Sequence, residues 1–101
     1  MMDSRVLNYF LAVAREENIT KAAKSLHVTQ PTLSRQLMQL EEELEVKLLN
    51  RGKYNVNLSE EGLLFRRRAQ ELVDLAEKAK AELIQSEEEL VGELSIGCNE
   101  S

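Results

Sequence analysis

A mainly α fold, with one short β-hairpin and one very long helix, is what this sequence predicts, and three observations predict it. Across residues 18–44 two helical patterns of apolar residues stand on either side of a tight break at His27-Val28. Across residues 47–58 the pattern shortens and alternates around Gly52-Lys53. From Ser59 onward an apolar residue recurs every three or four positions, without Pro and without Gly between Gly62 and Gly92. Helical period, strand alternation and turn chemistry are separate physical signals, and here they occupy separate segments.

A first helix is expected over residues 4–16. Leu7, Phe10, Leu11 and Ala14 fall at i, i+3, i+4 and i+7 and so share a face, with Val6 and Val13 beside it. Asp3 or Ser4 can cap its start. The second helix, about residues 20–26, has Asn18 or Thr20 as N-cap and the small pair Ala22-Ala23 in its middle, where a neighbouring helix can approach closely. A third helix opens with Thr29 as N-cap and places Pro31 in the first turn, where a missing N–H costs nothing. Leu33, Leu37, Leu40 and Leu44, spaced 4, 3 and 4, define its buried face. Arg35 lies about 200° from Leu33 at about 100° per residue and must face outward. Thr32 and Gln39 flank it, and Gln30 projects from the helix start. Two short helices joined by a tight turn, the second opening on exposed polar residues, form a helix-turn-helix.

Two short strands are expected at residues 48–51 and 54–58, a hairpin with Lys53 at its tip, which suits the wing of a winged helix-turn-helix. Ser59 then caps a long helix whose first turn carries Glu60 and Glu61, placed well for the positive end of the helix dipole. Phe65, Ala69, Leu72, Ala76, Ala79, Leu83, Ser86 and Leu90 are spaced alternately 4 and 3, a heptad seam with one polar position. At about 1.5 Å per residue, a helix over residues 60–91 spans roughly 48 Å. A head of 58 residues cannot cover that length, so most of the seam is expected to pair with another chain. The tail 93–98 alternates polar and apolar residues and is expected to be the first strand of a further domain. The organisation expected is therefore a head at residues 1–58, a linker or dimerisation helix at 59–91, and at 92–101 the start of a truncated second domain. Cys98 fits a strand thiol better than a nucleophile, since no base surrounds it.

Net charge is −5, which at first sight disfavours a polyanionic partner. The charge is unevenly distributed, however. Residues 1–58 carry a net +1 and residues 59–101 a net −6. Residues 18–40 hold no Asp or Glu, although the chain has 18 acids, while Lys21, Lys24 and Arg35 lie within that window. The local field at a docking face governs attraction to DNA, not the total charge. One cysteine and one histidine exclude an intrachain disulfide, a cysteine metal cluster and multi-histidine sites. With no nucleophile–base pair or phosphate loop, an enzyme is not expected, and neither a cofactor nor a metal is expected. No apolar stretch approaches the roughly 20 residues of a membrane span, and the start Met1-Met2-Asp3-Ser4-Arg5 lacks a signal-peptide pattern, so a cytoplasmic protein without a membrane partner is expected.

These segments together resemble the N-terminal part of LysR-type transcriptional regulators. The residues that carry the likeness are Phe10, Ala12-Val13-Ala14, Asn18, Thr20, Ala22-Ala23, Leu26, the run from Val28 to Leu37, Leu40-Glu41, Leu48, Arg51, Val56, Leu58-Ser59 and Gly62. The spacing AAxxLxVTQPTLSRQ followed by Leu-Glu is far more specific than a generic helix-turn-helix. Glu45 stands where the family usually has Gly, and Leu49-Asn50 replaces a common Phe-containing pair. The resemblance implies a winged helix-turn-helix, a linker helix that pairs with its twin, and an absent C-terminal effector-binding domain. It also implies that Thr29, Gln30, Pro31, Thr32, Ser34 and Arg35 face the DNA groove, with Arg51 and Lys53 as wing contacts.

The expectation is therefore a bacterial DNA-binding module with its recognition helix, residues 29–44, in the major groove. Thr20 and Lys21 at the start of the second helix complete the expected DNA-binding residues. Gln30 can offer a bidentate amide to adenine and Arg35 a fork to guanine or phosphate. The expected partners are double-stranded DNA with an inverted-repeat operator and a second copy of the chain, with a higher oligomer open to the full-length protein. The competing reading is a protein-interaction module, a coiled-coil dimeriser whose helical head binds a protein. The acid-free window and the basic hairpin disfavour it. For Lys21 and Lys24 a phosphate role and a plain solvated role stay equally open. Arg66, Arg67 and Arg68 balance nearby acids at least as readily as they approach a DNA backbone, and His27 suits a packed or capping role at its turn.

Overall fold

The computed structural model describes residues 3–97 except Tyr54, and the side chains of residues 3–86. Its element order is α1 (Ser4–Glu16), α2 (Ile19–Leu26), α3 (Gln30–Leu44), β1 (Leu49–Arg51), β2 (Val56–Leu58) and α4 (Glu60–Gly97). The principal extents, 64 × 25 × 20 Å, are those of a small head with a rod projecting from it.

Local chemistry accounts for each helix start. The Val6 N–H donates to Asp3 Oδ1 at 3.0 Å, so Asp3 rather than Ser4 caps α1. Asn18 rather than Thr20 caps α2, accepting from the Lys21 N–H at 2.8 Å. Thr29 caps α3 by accepting from the Thr32 N–H at 3.3 Å, and Ser59 Oγ accepts from the Gly62 N–H at 3.0 Å in the first turn of α4. The first three helices all end on a non-glycine residue in the left-handed conformation, Glu17 at φ 57°, His27 at φ 61° and Glu45 at φ 59°. His27 is thus a capping residue, its N–H turned back onto Ala23 and Lys24 carbonyls. Glu45 makes the same turn that a glycine makes more cheaply.

Phe10, Val13, Ala22 and Leu33 are fully enclosed at the centre of the head, with Leu37, Leu40, Leu48, Leu49 and Ala69 around them. α3 buries the leucine face its spacing predicts, with Leu44 half-buried. α1 differs. Val6, Leu7, Phe10, Ala12 and Val13 are buried, whereas Leu11 and Ala14 are half-buried flanks. The reason is that α1 touches α2, α3, α4 and β2, so its buried arc is wider than one stripe and centres nearer Val13.

β1 and β2 pair antiparallel in the register Leu49↔Leu58, Asn50↔Asn57 and Arg51↔Val56. Each strand is shorter than its expected span, because Leu48 is occupied elsewhere and the Asn55 carbonyl is taken up in closing the loop; Tyr54 lies outside the described residues. The Gly52 N–H closes the loop on the Asn55 carbonyl at 2.8 Å. Residues 47–49 are gripped from two sides. On one, the Glu41 carboxylate accepts from the Leu48 and Leu49 N–H groups at 2.8 and 3.0 Å. On the other, the Ser59 hydroxyl donates to the Lys47 carbonyl at 2.6 Å and the Ser59 N–H to the Leu48 carbonyl at 2.9 Å. Gly62 presses against the same strand. A Cβ there would overlap the Leu48 carbonyl oxygen and stand 3.2 Å from the Leu58 Cβ.

The heptad seam of α4 divides. Phe65 and Ala69 pack on the chain's own core, where the Phe65 ring meets Phe10 edge-on at 5.1 Å. The inward stripe then continues to Val73 instead of Leu72. Leu72, Leu75, Leu83 and Ile84 stand 45–70 % exposed on the rod. The Leu90 side chain, expected in the seam, lies outside those described. Helix continues through Gly97, which corrects the strand expected at the tail. A strand needs a neighbour for its backbone N–H and C=O groups, and among the described residues the two strands present pair with each other in the head. Cys98 lies outside the described residues.

Two substitutions should move stability in opposite directions. Gly62→Ala should destabilise by about 3 kcal/mol, the upper range for overpacking, because the clash is with backbone. Glu45→Gly should stabilise by about 0.5 kcal/mol, relief of the left-handed strain being partly offset by the freer unfolded chain. Urea unfolding midpoints of the two variants, compared with the parent, check both signs.

Candidate nucleic-acid interface

The acid-free segment folds into a surface. α2 and the first turns of α3 lie side by side, held by the buried Ala22, Ala23 and Leu33. Ala22-Ala23 lets the helices approach, and the Val28 N–H bond to the Ala23 carbonyl at 3.0 Å fixes the turn between them. The wing base is tied to the turn between α1 and α2, since the Val56 N–H donates to the carbonyl of Glu17, the C-cap of α1, at 3.1 Å. α2, α3 and the hairpin therefore present one continuous exposed face.

A groove of about 270 Å³ runs between them. Thr20 and the capping Asn18 line it from α2, Gln30 and Ser34 from α3, and Arg51, Lys53 and Asn55 from the wing. The Thr20 hydroxyl donates to Gln30 Oε1 at 3.3 Å, which orients the amide while leaving Oε1 a second lone pair and both N–H donors. The Thr29 hydroxyl donates to Thr32 Oγ1 at 2.8 Å, so its proton is used locally and the Thr32 hydroxyl proton is free to turn outward. The start of α3 thus combines the positive end of a helix dipole with orienting hydroxyls and no carboxylate, the chemistry a phosphate oxygen needs.

Of the ten expected site residues, Thr20, Gln30, Ser34, Arg51 and Lys53 line this groove together. Lys21, Thr29, Pro31, Thr32 and Arg35 do not. Lys21, Thr29, Pro31 and Arg35 are exposed beside it, and Thr32 is half-buried under its bond to Thr29. Arg35 follows Ser34 by about 100° around the helix, so α3 turns Gln30 and Ser34 toward the wing and Arg35 toward open solvent. Arg51 is the surprise. Its guanidinium Nη2 lies 3.7 Å from Glu41 Oε1, so part of its charge is spent inside the protein. Asn18 and Asn55 were missed as lining residues. The first was legible only as a cap, and the second is placed by the loop conformation, which leaves no periodic signal.

Among the described residues no group of three or more His, Cys, Asp or Glu could hold a metal ion, and no helix is long and apolar enough to cross a membrane.

Comparison with known proteins follows the same lines. A family model described as bacterial regulatory helix-turn-helix protein, lysR family, matches residues 4–63. The chain is 47 % identical over 97 residues to the HTH-type transcriptional regulator BsdA of Bacillus subtilis (strain 168), covering 95 % of this chain and 33 % of that protein. It is 41 % identical over 100 residues to the HTH-type transcriptional regulator BudR of Klebsiella aerogenes, covering 99 % of this chain and 70 % of that one. Among solved structures, the CbnR DBD–DNA complex superposes with a TM-score of 0.82 at 38 % identity, over 84 % of this chain and 98 % of that one. The BenM DBD bound to benA site 1 DNA gives 0.80 at 40 % identity, over 83 % and 98 %. The chain spans about a third of the length of BsdA.

Proposed function

Because the chain belongs to the lysR family of bacterial regulatory helix-turn-helix proteins, we propose that it is the sequence-specific DNA-binding module of a dimeric, cytoplasmic, non-enzymatic transcription regulator. Residues 1–58 form the DNA-binding head in this reading, residues 59–91 the dimerisation helix, and residues 92–101 lead toward an effector-binding domain. One observation carries it above the others: the groove that brings Thr20, Gln30, Ser34 and Lys53 together on an acid-free face. That likeness extends to solved domains described as bound to DNA supports it.

The N-terminal turn of α3 enters the major groove in this arrangement. Gln30 and Arg35 reach base edges, Pro31 contributes apolar contact, and Thr29, Thr32 and Ser34 meet phosphate oxygens. Thr20 and Lys21 meet the backbone from α2, and Lys53 meets it from the wing tip. Gln30→Ala and Arg35→Ala should each lose roughly 1–3 kcal/mol on the specific duplex and much less on random DNA. Lys53→Ala should weaken both about equally and lower the salt slope by about one unit. Titrations of operator and scrambled duplex at several salt concentrations make the comparison. An unchanged specificity ratio for the first two variants would place the reading face elsewhere.

The exposed leucines of α4 argue for a second copy of the chain. Leu72, Ala76, Ala79 and Leu83 continue the heptad spacing beyond the head and are uncovered. A two-fold pair of heads would read inverted half-sites about 34 Å apart or a multiple of that. Leu72→Glu should convert a dimer into monomers at low micromolar concentration, as judged by light scattering. A monomeric parent, or a fully dimeric variant, would contradict this assignment.

A further inference from the structure

Glu41 occupies a position with no counterpart in the contact scheme above. It stands on α3 but reaches the wing. One carboxylate oxygen accepts from the adjacent Leu48 and Leu49 N–H groups at 2.8 and 3.0 Å, and the other faces Arg51 Nη2 at 3.7 Å. The carboxylate is only 15 % exposed, so water competes weakly for these bonds. Charge-assisted bonds from a carboxylate to paired N–H groups are short and directional, and here they join the recognition helix to the first residues of β1.

The wing is a lever on that joint. From Leu49 to Lys53 the strand and turn extend about 13 Å at roughly 3.3 Å per residue. A tilt of about 10° at the clamp would therefore displace the tip by about 2 Å, several times the roughly 0.5 Å tolerance of a productive contact. We propose that Glu41 is a positioning residue for DNA binding, setting the wing against α3 through Leu48 and Leu49, and that Arg51 acts through Glu41 rather than as a phosphate contact. The inference rests on the DNA-binding reading. It departs from the resemblance, which implied Arg51 as a direct wing contact.

The test uses the 101-residue chain and a duplex enriched from a random-sequence library by that chain. Glu41→Gln keeps the side-chain volume and removes the charge. Lys53→Ala is measured in the parent and in the Glu41→Gln background, at a temperature where denaturant titration shows every variant folded. The penalty of Lys53→Ala should be more than twofold smaller in the Glu41→Gln background, because a misplaced tip has less contact to lose. A merely structural role for Glu41 would lower the unfolding midpoint and leave that penalty equal within about twofold, the scatter of independent sites. Equal penalties overturn the proposal. Arg51→Met retains both backbone bonds and serves where Glu41→Gln does not fold. It should reduce the Lys53 penalty in the same way and, in the Lys53→Ala background, leave the salt slope unchanged. A slope lower by about one unit, or an undiminished penalty, assigns Arg51 to a phosphate and overturns the proposal. Failure of the library to yield any enriched duplex would instead overturn the DNA-binding reading, and this inference with it.

Discussion

The grip on residues 47–49 is the constraint on which the architecture depends. Three elements meet there. Glu41 holds the segment from α3, and Ser59 and Gly62 hold it from the start of α4. With Leu48 and Leu49 also buried, the segment has no freedom to slide, and the register Leu49↔Leu58 follows. A slip of one residue would turn Leu49 and Val56 outward and bring Asn50 in. The same Ser59 that bonds the Lys47 carbonyl caps α4, so the direction of the rod is set at the point where the wing begins. Gly62 permits that closeness because its missing side chain is the space the Leu48 carbonyl occupies.

The helix exits impose a second constraint. Glu17, His27 and Glu45 all adopt the left-handed conformation, where a side chain costs roughly 1–2 kcal/mol. Backbone bonds hold each. The Glu17 carbonyl accepts from the Val56 N–H, while the Val28 N–H bond to the Ala23 carbonyl closes the turn at His27 and the Val46 N–H bond to the Glu41 carbonyl closes the one at Glu45. Strain at the turns is thus tolerated where these bonds close them.

Most elements of the fold were legible because their signals are local. The 4, 3, 4 spacing of leucines, the caps Thr29 and Ser59, and the break at His27 depend on residues within a turn of one another. What escaped depends on distant approach. The wide buried arc of α1 could not be seen from its own periodicity, since three other helices decide which of its residues are covered. The tail reads as a strand by alternation, yet alternation alone cannot supply a neighbouring strand. Of the expected site residues that share one groove, Thr20, Gln30 and Ser34 lie on surfaces whose orientation the helix-turn-helix spacing dictates, while Arg51 and Lys53 come to it from the wing. Arg51, expected as a wing contact, stands in β1, and its ion pair joins positions ten apart through a tertiary contact. Asn55 gave no signal at all, its place being set by the Gly52 turn.

α4 shows why a heptad pattern needs the rest of the molecule to be interpreted. Phe65, Ala69 and Val73 are four residues apart, and at about 100° per residue each step advances around the helix by about 40°. That drift follows the curved surface of α1. Leu72, Ala76, Ala79 and Leu83 keep the heptad and leave the head's surface behind. One sequence pattern therefore serves two faces, and they begin together at Phe65 and Ala69, where both periods coincide. The inward face needs only about two turns, because the head extends no further. Among the described residues nothing covers the outward face, and Leu75 at 62 % exposure and Leu83 at 70 % are the side chains that water penalises most. Burying a leucine is worth roughly 1.5–3 kcal/mol, so a second copy bringing a matching rod to this face would bury several such residues at once. The head then gains a fixed orientation relative to its twin from the same helix that Ser59 and Gly62 anchor to the wing.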